Sequence, residues 1–183
     1  MMIDPDDFYK ALIDQEVVFF TGVPDSLLKE FCSVISANAK PSNHIMASNE
    51  GSAVGMAIGN YAATGKIPLV YMQNSGIGNA INPLISLADP KVMAIPILLV
   101  IGWRGEVDAS GCQIKDEPQH TKQGHITPEL LNALDVPYEI IDGKSDPHVV
   151  SRLKKRAIAR SGPVAFVVRK GTFNALELLD ADN

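Results

Sequence analysis

The segment from which the fold can be worked out reads Ser48-Asn49-Glu50-Gly51-Ser52-Ala53-Val54-Gly55-Met56-Ala57-Ile58-Gly59. Its small and apolar residues predict a helix, which Ser48 or Asn49 would cap by accepting from the free amides of the first turn. Downstream of Glu50 the next charged side chain is Lys66. We expect desolvation to disfavour the charged form of so isolated an acid, which suits it for proton transfer. The alternative is that Glu50 lies in the first turn only because the helix dipole favours negative charge there.

Length and composition narrow the classes of protein. The chain has 183 residues and a formal net charge of −5, which predicts one globular domain and argues against a nucleic-acid surface. We expect this domain to cover residues 1–170, with a tail at 171–183. The longest apolar run is too short to cross a membrane, and the acidic start does not resemble a signal peptide. Two cysteines without metal-like spacing indicate a reduced, cytoplasmic protein with no metal site of its own.

Apolar runs alternate with helical patterns along the whole chain. The runs at residues 17–20, 44–47, 68–72, 95–102, 138–141 and 164–168 are nearly continuous, which is typical of strands buried on both faces. They predict an α/β fold: a doubly wound, six-stranded parallel sheet with helices on both faces. The expected helices include residues 80–87, 128–134 and 149–160, with Thr127 capping a helix that has Pro128 in its first position.

Ligands in such folds bind beyond the carboxyl ends of the strands. The loops there are residues 21–26, 48–51, 73–79 and 103–123, and the last is long enough to indicate a function. It contains Arg104, Lys115, His120 and Lys122, which could converge on a doubly charged oxyanion; the alternative is a mobile loop whose charges pair with one another. The glycine-rich residues 74–79 could hold an anion through backbone amides, or could form only a tight turn.

The strand, the acid–glycine pair and the small-residue helix resemble the pyrimidine-binding domain of thiamine diphosphate enzymes. Four further motifs resemble the phosphonopyruvate decarboxylases over residues 8–170: Gly22-Val23-Pro24-Asp25-Ser26-Leu27-Leu28, Met72-Gln73-Asn74-Ser75-Gly76-Ile77-Gly78-Asn79, Trp103-Arg104-Gly105 and Asp116-Glu117-Pro118-Gln119-His120. The resemblance implies decarboxylation of 3-phosphonopyruvate to phosphonoacetaldehyde and CO2, a step of phosphonate or antibiotic biosynthesis.

The same resemblance implies roles for individual residues. Glu50 would bond the cofactor's aminopyrimidine ring and relay a proton. The expected cofactor-binding residues are Glu50, Gly22, Pro24, Asn74 and Gly76. The expected substrate-binding residues are Asp25, Ser26, Asn74, Ser75, Arg104, Lys115 and His120, with Lys122 as a further candidate. Asp25 is also a candidate acid because of its position in the first loop.

Complete enzymes of this family also have a diphosphate-binding domain in which a Gly-Asp-Gly motif holds magnesium, and this sequence contains no Gly-Asp-Gly. We therefore expect one subunit of a split hetero-oligomer, or half of a longer chain, that is inactive alone. A beta-type partner would hold most of the thiamine diphosphate and the Mg²⁺. Two alternatives stay open: the alpha subunit of a sulfopyruvate decarboxylase, and a non-catalytic scaffold or regulatory partner.

Overall fold

Six strands pair in parallel in the order β2-β1-β3-β4-β6-β5. This computed structural model describes residues 2–108, 110–146 and 148–175. The strands are β1 (Phe20–Gly22), β2 (His44–Met46), β3 (Leu69–Gln73), β4 (Leu98–Gly102), β5 (Tyr138–Ile141) and β6 (Val164–Val168). The predicted six-stranded, doubly wound parallel sheet is therefore confirmed.

Helices cover both faces of the sheet. They are α1 (Pro5–Asp14), α2 (Lys29–Asn38), α3 (Glu50–Thr64), α4 (Ile77–Pro83), α5 (Pro118–Ala133) and α6 (Val149–Arg160). Helices α1, α2 and α6 pack on one face around Phe8, Phe31 and Leu153. Helices α3, α4 and α5 pack on the other around Ala57, Ala80 and Leu131. The central strands are apolar throughout because each buries side chains on both sides.

Strand β1 lies two to three residues later than the sequence suggested. Thr21 and Gly22, expected in a turn, pair with both β2 and β3. A Cβ at Gly22 would lie 2.1 Å from the carbonyl oxygen of Tyr71. The absence of a side chain at Gly22 is thus explained by strand packing.

The glycine-rich segment after β3 is helical rather than an open loop. A 3₁₀ turn at Asn74–Gly76 runs directly into α4, which begins three residues before the predicted residue 80. A π-helical turn, Leu84–Ala88, ends the element. The segment therefore has a fixed backbone that can position side chains on either side of it.

The largest difference from the prediction concerns α5, which begins at Pro118 rather than at Pro128. The predicted cap, Thr127, lies inside this helix and is fully buried. Proline lacks the N–H that would normally bond the carbonyl four residues earlier, which here belongs to Gly124. That carbonyl instead accepts from the indole Nε1 of Trp103 at 2.9 Å. A contact from the residue that follows β4 thus supplies the hydrogen bond that Pro128 removes.

The described segment after β6 packs against the core beside α1 and α2. Phe173 is buried beside Phe31 and Phe8, and it forms a bridge with Ile3. Of the predicted tail at residues 171–183, positions 176–183 lie outside the described residues. No helix among the described residues is long and apolar enough to cross a membrane.

Candidate functional site

Glu50 is the first residue of α3 and is only 9 % exposed. Asn49 caps the helix by accepting from the backbone N–H of Ser52 at 2.9 Å, which confirms one of the two predicted caps. The carboxylate of Glu50 faces α4, where the side chain of Asn79 donates to its Oε2 at 2.8 Å. The acid is therefore fixed between two helix starts at the carboxyl end of the sheet.

Two glycines permit this close approach of α3 to α4. A Cβ at Gly76 would lie 2.4 Å from Oε1 of Glu50 and 2.5 Å from its Cδ and Cγ. A Cβ at Gly51 would lie 2.7 Å from the backbone oxygen of Asn79. Gly76 thus forms the wall against which Oε1 lies.

Asn79 is a site residue that sequence reasoning did not single out. It is the last residue of the glycine-rich motif, but nothing in the linear pattern pairs it with a residue 29 positions earlier. Only the packing of α3 on α4 brings the two side chains together. Its distance from Gly76, three residues or about one helical turn, is the signal that could have suggested a shared face.

Asn74 is fully buried, and its amide is occupied within the protein. Its Nδ2 donates to the backbone oxygen of Arg104 at 3.0 Å and to Oγ1 of Thr127 at 2.9 Å. Its Oδ1 accepts from the backbone N–H of Arg104 at 3.2 Å. These contacts join the ends of β3 and β4 to the middle of α5.

Arg104 follows β4 and forms a two-point ion pair with Asp116. Its Nε and Nη2 donate to the two carboxylate oxygens at 3.1 and 2.9 Å, and its Nη1 donates to Oγ of Ser26 at 3.0 Å. The bonds from Arg104 hold the pKa of Asp116 well below its usual range. The bonds to Asp116 raise the pKa of Arg104, so this pair stays ionised across the physiological range.

His120 joins the same cluster from the first turn of α5. Its Nδ1 lies 3.1 Å from Oδ1 of Asp116, four residues earlier. Asp116 lies just before the N-cap of α5 and His120 lies in its first turn, so the entry of the chain into the helix brings the acid and the imidazole together. The structure brings together three of the predicted residues, Ser26, Arg104 and His120.

Asp25 lies next to this cluster and is 6 % exposed. Its Oδ2 accepts from the backbone N–H of Leu27 at 3.1 Å, and a Cβ at Gly102 would lie 2.3 Å from the same oxygen. Burial raises the pKa of Asp25, while the bond from Leu27 and the charge of Arg104 oppose that rise. Asp25 is thus an acid whose neutral form is favoured relative to an exposed aspartate.

A cleft of about 650 Å³ opens beside Asp25, between α2 and the ends of the strands. Tyr71 and Cys32 line it, and burial raises the pKa of Cys32 to about 12. The thiol therefore stays protonated, as expected of a side chain in the helix packing and not of a nucleophile. The hydroxyl of Tyr71 bonds Nε2 of His44 at 2.8 Å, and burial lowers the pKa of His44.

The remaining predicted residues lie at the surface. Lys115, Lys122, Pro24 and Ser75 are exposed, and the hydroxyl of Ser75 accepts from Nε2 of Gln73 at 2.7 Å. Across residues 2–108, 110–146 and 148–175, no group of three or more His, Cys, Asp or Glu side chains is placed to hold a metal ion.

Comparison with solved structures shows the fold. The chain superposes on benzoylformate decarboxylase from Polynucleobacter necessarius with a TM-score of 0.72 and 20 % identity, over 100 % of this chain and 33 % of the other. It superposes on the thiamine diphosphate-dependent 4-hydroxybenzoylformate decarboxylase of Rhodococcus jostii RHA1 with a TM-score of 0.69 and 19 % identity, over 94 % of this chain and 31 % of the other.

Sequence comparison shows the family. The chain is 33 % identical to phosphonopyruvate decarboxylase of Streptomyces viridochromogenes over 93 % of its own length and 41 % of that protein, so it spans about two fifths of this relative. It is 37 % identical to sulfopyruvate decarboxylase subunit alpha of Methanococcus maripaludis, over 71 % of this chain and 72 % of that one. Residues 5–133 match the family described as "Thiamine pyrophosphate enzyme, N-terminal TPP binding domain". The chain therefore belongs to the thiamine pyrophosphate enzymes and carries their N-terminal TPP-binding domain.

Proposed function

We propose that this chain is the pyrimidine-binding half of a thiamine diphosphate-dependent decarboxylase that converts 3-phosphonopyruvate to phosphonoacetaldehyde and CO2. The observation that carries the proposal is the cradle around Glu50, in which Asn79 holds one carboxylate oxygen and Gly76 leaves room for the other. A helix-start acid held in this way can bond one nitrogen of a ring and exchange a proton with it.

The residues of the cradle fit the pyrimidine end of the cofactor. Any side chain at position 76 would collide with Oε1 of Glu50, so the glycine is what allows the carboxylate to occupy this position. Gly22, the last residue of β1, and Pro24, in the loop that follows it, are the other proposed contacts. Bound thiamine diphosphate supplies the electron sink that lets carbon dioxide leave a 2-oxo acid.

The cluster of Arg104, Asp116 and His120 supports a substrate with a second anionic group. Guanidinium has five N–H donors; Asp116 takes two and Ser26 takes one. Two donors therefore remain for a phosphonate oxygen. We propose that Ser26, His120 and Lys115 complete this subsite, with Lys122 further out, and that Asn74 and Ser75 border it.

The reaction breaks the bond between the carboxylate and the keto carbon, releases CO2, and adds a proton to the former keto carbon. We propose that Asp25 delivers that proton. Its burial favours the protonated form, and a buried acid beside the cationic cluster is placed to donate where the carboxylate has left.

The proposed partner is a beta-type subunit with the Gly-Asp-Gly diphosphate-binding domain, which would hold the diphosphate and Mg²⁺ in a cytoplasmic hetero-oligomer. A relative that this chain matches over most of its length is itself called a subunit alpha. Helix α3 presents Gly55 and Gly59, where an added Cβ would meet nothing within 4 Å, and Met56 beside them is 38 % exposed. Such a flat, partly apolar surface suits a second protein.

The first test uses a tag on this chain to purify it from its source cells, with and without its bound partner. With thiamine diphosphate and Mg²⁺, the complex should decarboxylate 3-phosphonopyruvate, while the single chain should not. Turnover by the rigorously purified single chain would contradict the composite site. An assembled complex that releases no CO2 from any 2-oxo acid would favour the scaffold or regulatory alternative.

The second test concerns Arg104 in the active complex. Two charge-assisted hydrogen bonds, at about 1.5–3 kcal/mol each, correspond to a preference on the order of 10³-fold for phosphonopyruvate over pyruvate. Arg104→Ala should reduce this preference more than it slows pyruvate turnover. Equal proportional losses on both substrates would assign Arg104 to the structure of the loop instead.

A sulfonate substrate is the second candidate. The 37 % identity to a sulfopyruvate decarboxylase alpha subunit favours it, and a sulfonate presents the same three oxygens to Arg104 with one charge less. Competition between 3-phosphonopyruvate and sulfopyruvate at equal concentration separates the two, since the natural substrate should be consumed first.

A further inference from the structure

We propose that Asp116 is a positioning residue that holds Arg104 and His120 together as one anion-recognition unit; this inference rests on the function proposed above. The side chain of Asp116 is only 14 % exposed. Its carboxylate bonds the backbone of Gly105, 11 residues earlier in the sequence and next to Arg104. The charge of Asp116 by itself would weaken the binding of an anionic substrate, because like charges repel. Its role must therefore act through the residues that it holds.

Five donors surround the carboxylate of Asp116. Oδ1 accepts from Nη2 of Arg104, Nδ1 of His120 and the backbone N–H of Glu117, at 2.9, 3.1 and 2.8 Å. Oδ2 accepts from Nε of Arg104 and the backbone N–H of Gly105, at 3.1 and 2.8 Å. Both oxygens are thus fully used inside the protein.

This arrangement determines which donors face the substrate. The two-point contact fixes the plane of the guanidinium, and Ser26 bonds its far end at 3.0 Å, so each of the two remaining N–H groups of Arg104 has a fixed orientation. His120 has its Nδ1 on Asp116, which leaves Nε2 as the ring atom free to bond a ligand. A guanidinium group that is already oriented in this way loses little side-chain freedom when it binds an oxyanion.

The backbone around Asp116 also connects this anion-recognition unit to β4 and to α5. Gly105 approaches α5 so closely that a Cβ at Gly124 would lie 1.5 Å from its carbonyl oxygen. Nε2 of Gln113 donates to that same oxygen at 3.0 Å. Asp116 therefore joins the end of β4 to the start of α5 at the place where the two cations meet.

Asp116→Asn tests the inference because it keeps the size of the side chain while replacing one acceptor with a donor. Whichever way the amide turns, its NH₂ group faces at least two N–H donors. In the active complex, the KM for 3-phosphonopyruvate should rise and its preference over pyruvate should fall by about 10-fold or more, the size of one charge-assisted bond. Pyruvate turnover should change less than about 3-fold, since no second anion is bound.

Asp108→Asn is the matched control. Asp108 lies in the same loop, and its Oδ1 also accepts three bonds, from the backbone N–H and the hydroxyl of Ser110 and the backbone N–H of Cys112. It makes no bond to Arg104 or His120 within the described residues. If Asp116 only secured the loop, both variants would lower the turnover of 3-phosphonopyruvate and of pyruvate by the same proportion. That result would overturn the inference.

A double-mutant cycle separates an effect through Arg104 from a direct one. In the Arg104→Ala background, Asp116→Asn should cost less preference than it does in the wild-type background, because one of the two cationic residues it orients is gone. A cost equal to that in the wild-type background would overturn the inference.

Arg104→Lys decides the question if Asp116→Asn does not fold. Lysine keeps the charge but cannot form the two-point contact, so it should lose preference by about 10-fold or more; full retention of preference would overturn the inference. A wild-type complex that decarboxylates pyruvate and 3-phosphonopyruvate equally overturns the inference but leaves the decarboxylase proposal standing. A wild-type complex without decarboxylation overturns both.

Discussion

Gly76→Ala should disable Glu50 without disturbing the fold. The added methyl would lie 2.4–2.5 Å from three atoms of the Glu50 side chain, whereas non-bonded carbons prefer about 3.5–4.0 Å. The carboxylate must therefore move by roughly 1 Å, and a displacement of that size costs catalysis about 10²-fold. Moving it also breaks the 2.8 Å bond from Asn79.

The backbone itself accepts alanine at position 76. Its φ is −68° and its ψ is −17°, which is ordinary right-handed helix, so strain from the backbone is not expected. Thermal unfolding of the chain should therefore change by only a few degrees.

The measurement compares kcat of the reconstituted complex for Gly76→Ala and Gly78→Ala. A Cβ at Gly78 would meet nothing within 4 Å, so it controls for adding a methyl to the same helical segment. Size-exclusion chromatography of both complexes separates loss of the partner from loss of catalysis. If Gly76→Ala assembles and turns over as fast as Gly78→Ala, the cradle does not position the acid and the reasoning is wrong.

Three further predictions concern single side chains. Glu50→Gln keeps the shape but cannot relay a proton, so turnover of the complex should fall by about 10²-fold or more; normal turnover would reduce Glu50 to a helix-start residue. Trp103→Phe leaves the carbonyl of Gly124 without its donor and should cost about 1–3 kcal/mol in urea unfolding, and less in a Pro128→Ala background, where a backbone N–H is restored. Burial raises the pKa of Glu106, so its contribution to stability is present below its ordinary pKa of about 4.5 and is lost as pH rises. The stability of Glu106→Gln relative to wild type should thus increase from pH 4 to pH 7 in urea unfolding; a pH-independent difference would contradict the burial effect.

The sheet could be predicted because strands buried on both faces have nearly continuous apolar runs, which are visible in the local sequence. Strand β6 and helix α6 were predicted with their observed bounds, Val164–Val168 and Val149–Arg160. The predicted position of β1 was two to three residues too early because Thr21 and Gly22 resemble turn residues in the sequence. They pair only because β2 and β3 flank them, and neighbouring strands are not visible in a local pattern.

The start of α5 could not be predicted for a similar reason. Its first turns carry polar residues without a helical stripe, and they are held by contacts from distant parts of the chain. Its position before a proline predicts that Thr127 is a cap, yet it donates to the backbone oxygen of Gln123 at 2.6 Å and accepts from Asn74. A proline inside a helix is tolerated where another group bonds the carbonyl that it leaves free.

The cationic residues of the candidate site were identified by type, but their organisation was not. Counting cations in the long loop singled out Arg104, Lys115 and His120 with equal weight. The structure separates them, because Asp116 binds two and leaves Lys115 exposed. The contact between Asp116 and His120 depends on how the chain enters α5 at Pro118, and the sequence predicted that helix to begin ten residues later.

One short helical segment links the two halves of the site. At its start, Asn74 bonds both the N–H and the carbonyl of Arg104. Further along, Gly76 and Asn79 confine the carboxylate of Glu50. A rigid turn from Asn74 to Asn79 therefore sets the separation between the proposed proton relay and the proposed anion subsite. A flexible loop of the same composition could make either set of contacts, but it would not hold both at a fixed distance, which a reaction between a bound cofactor and an oriented substrate requires.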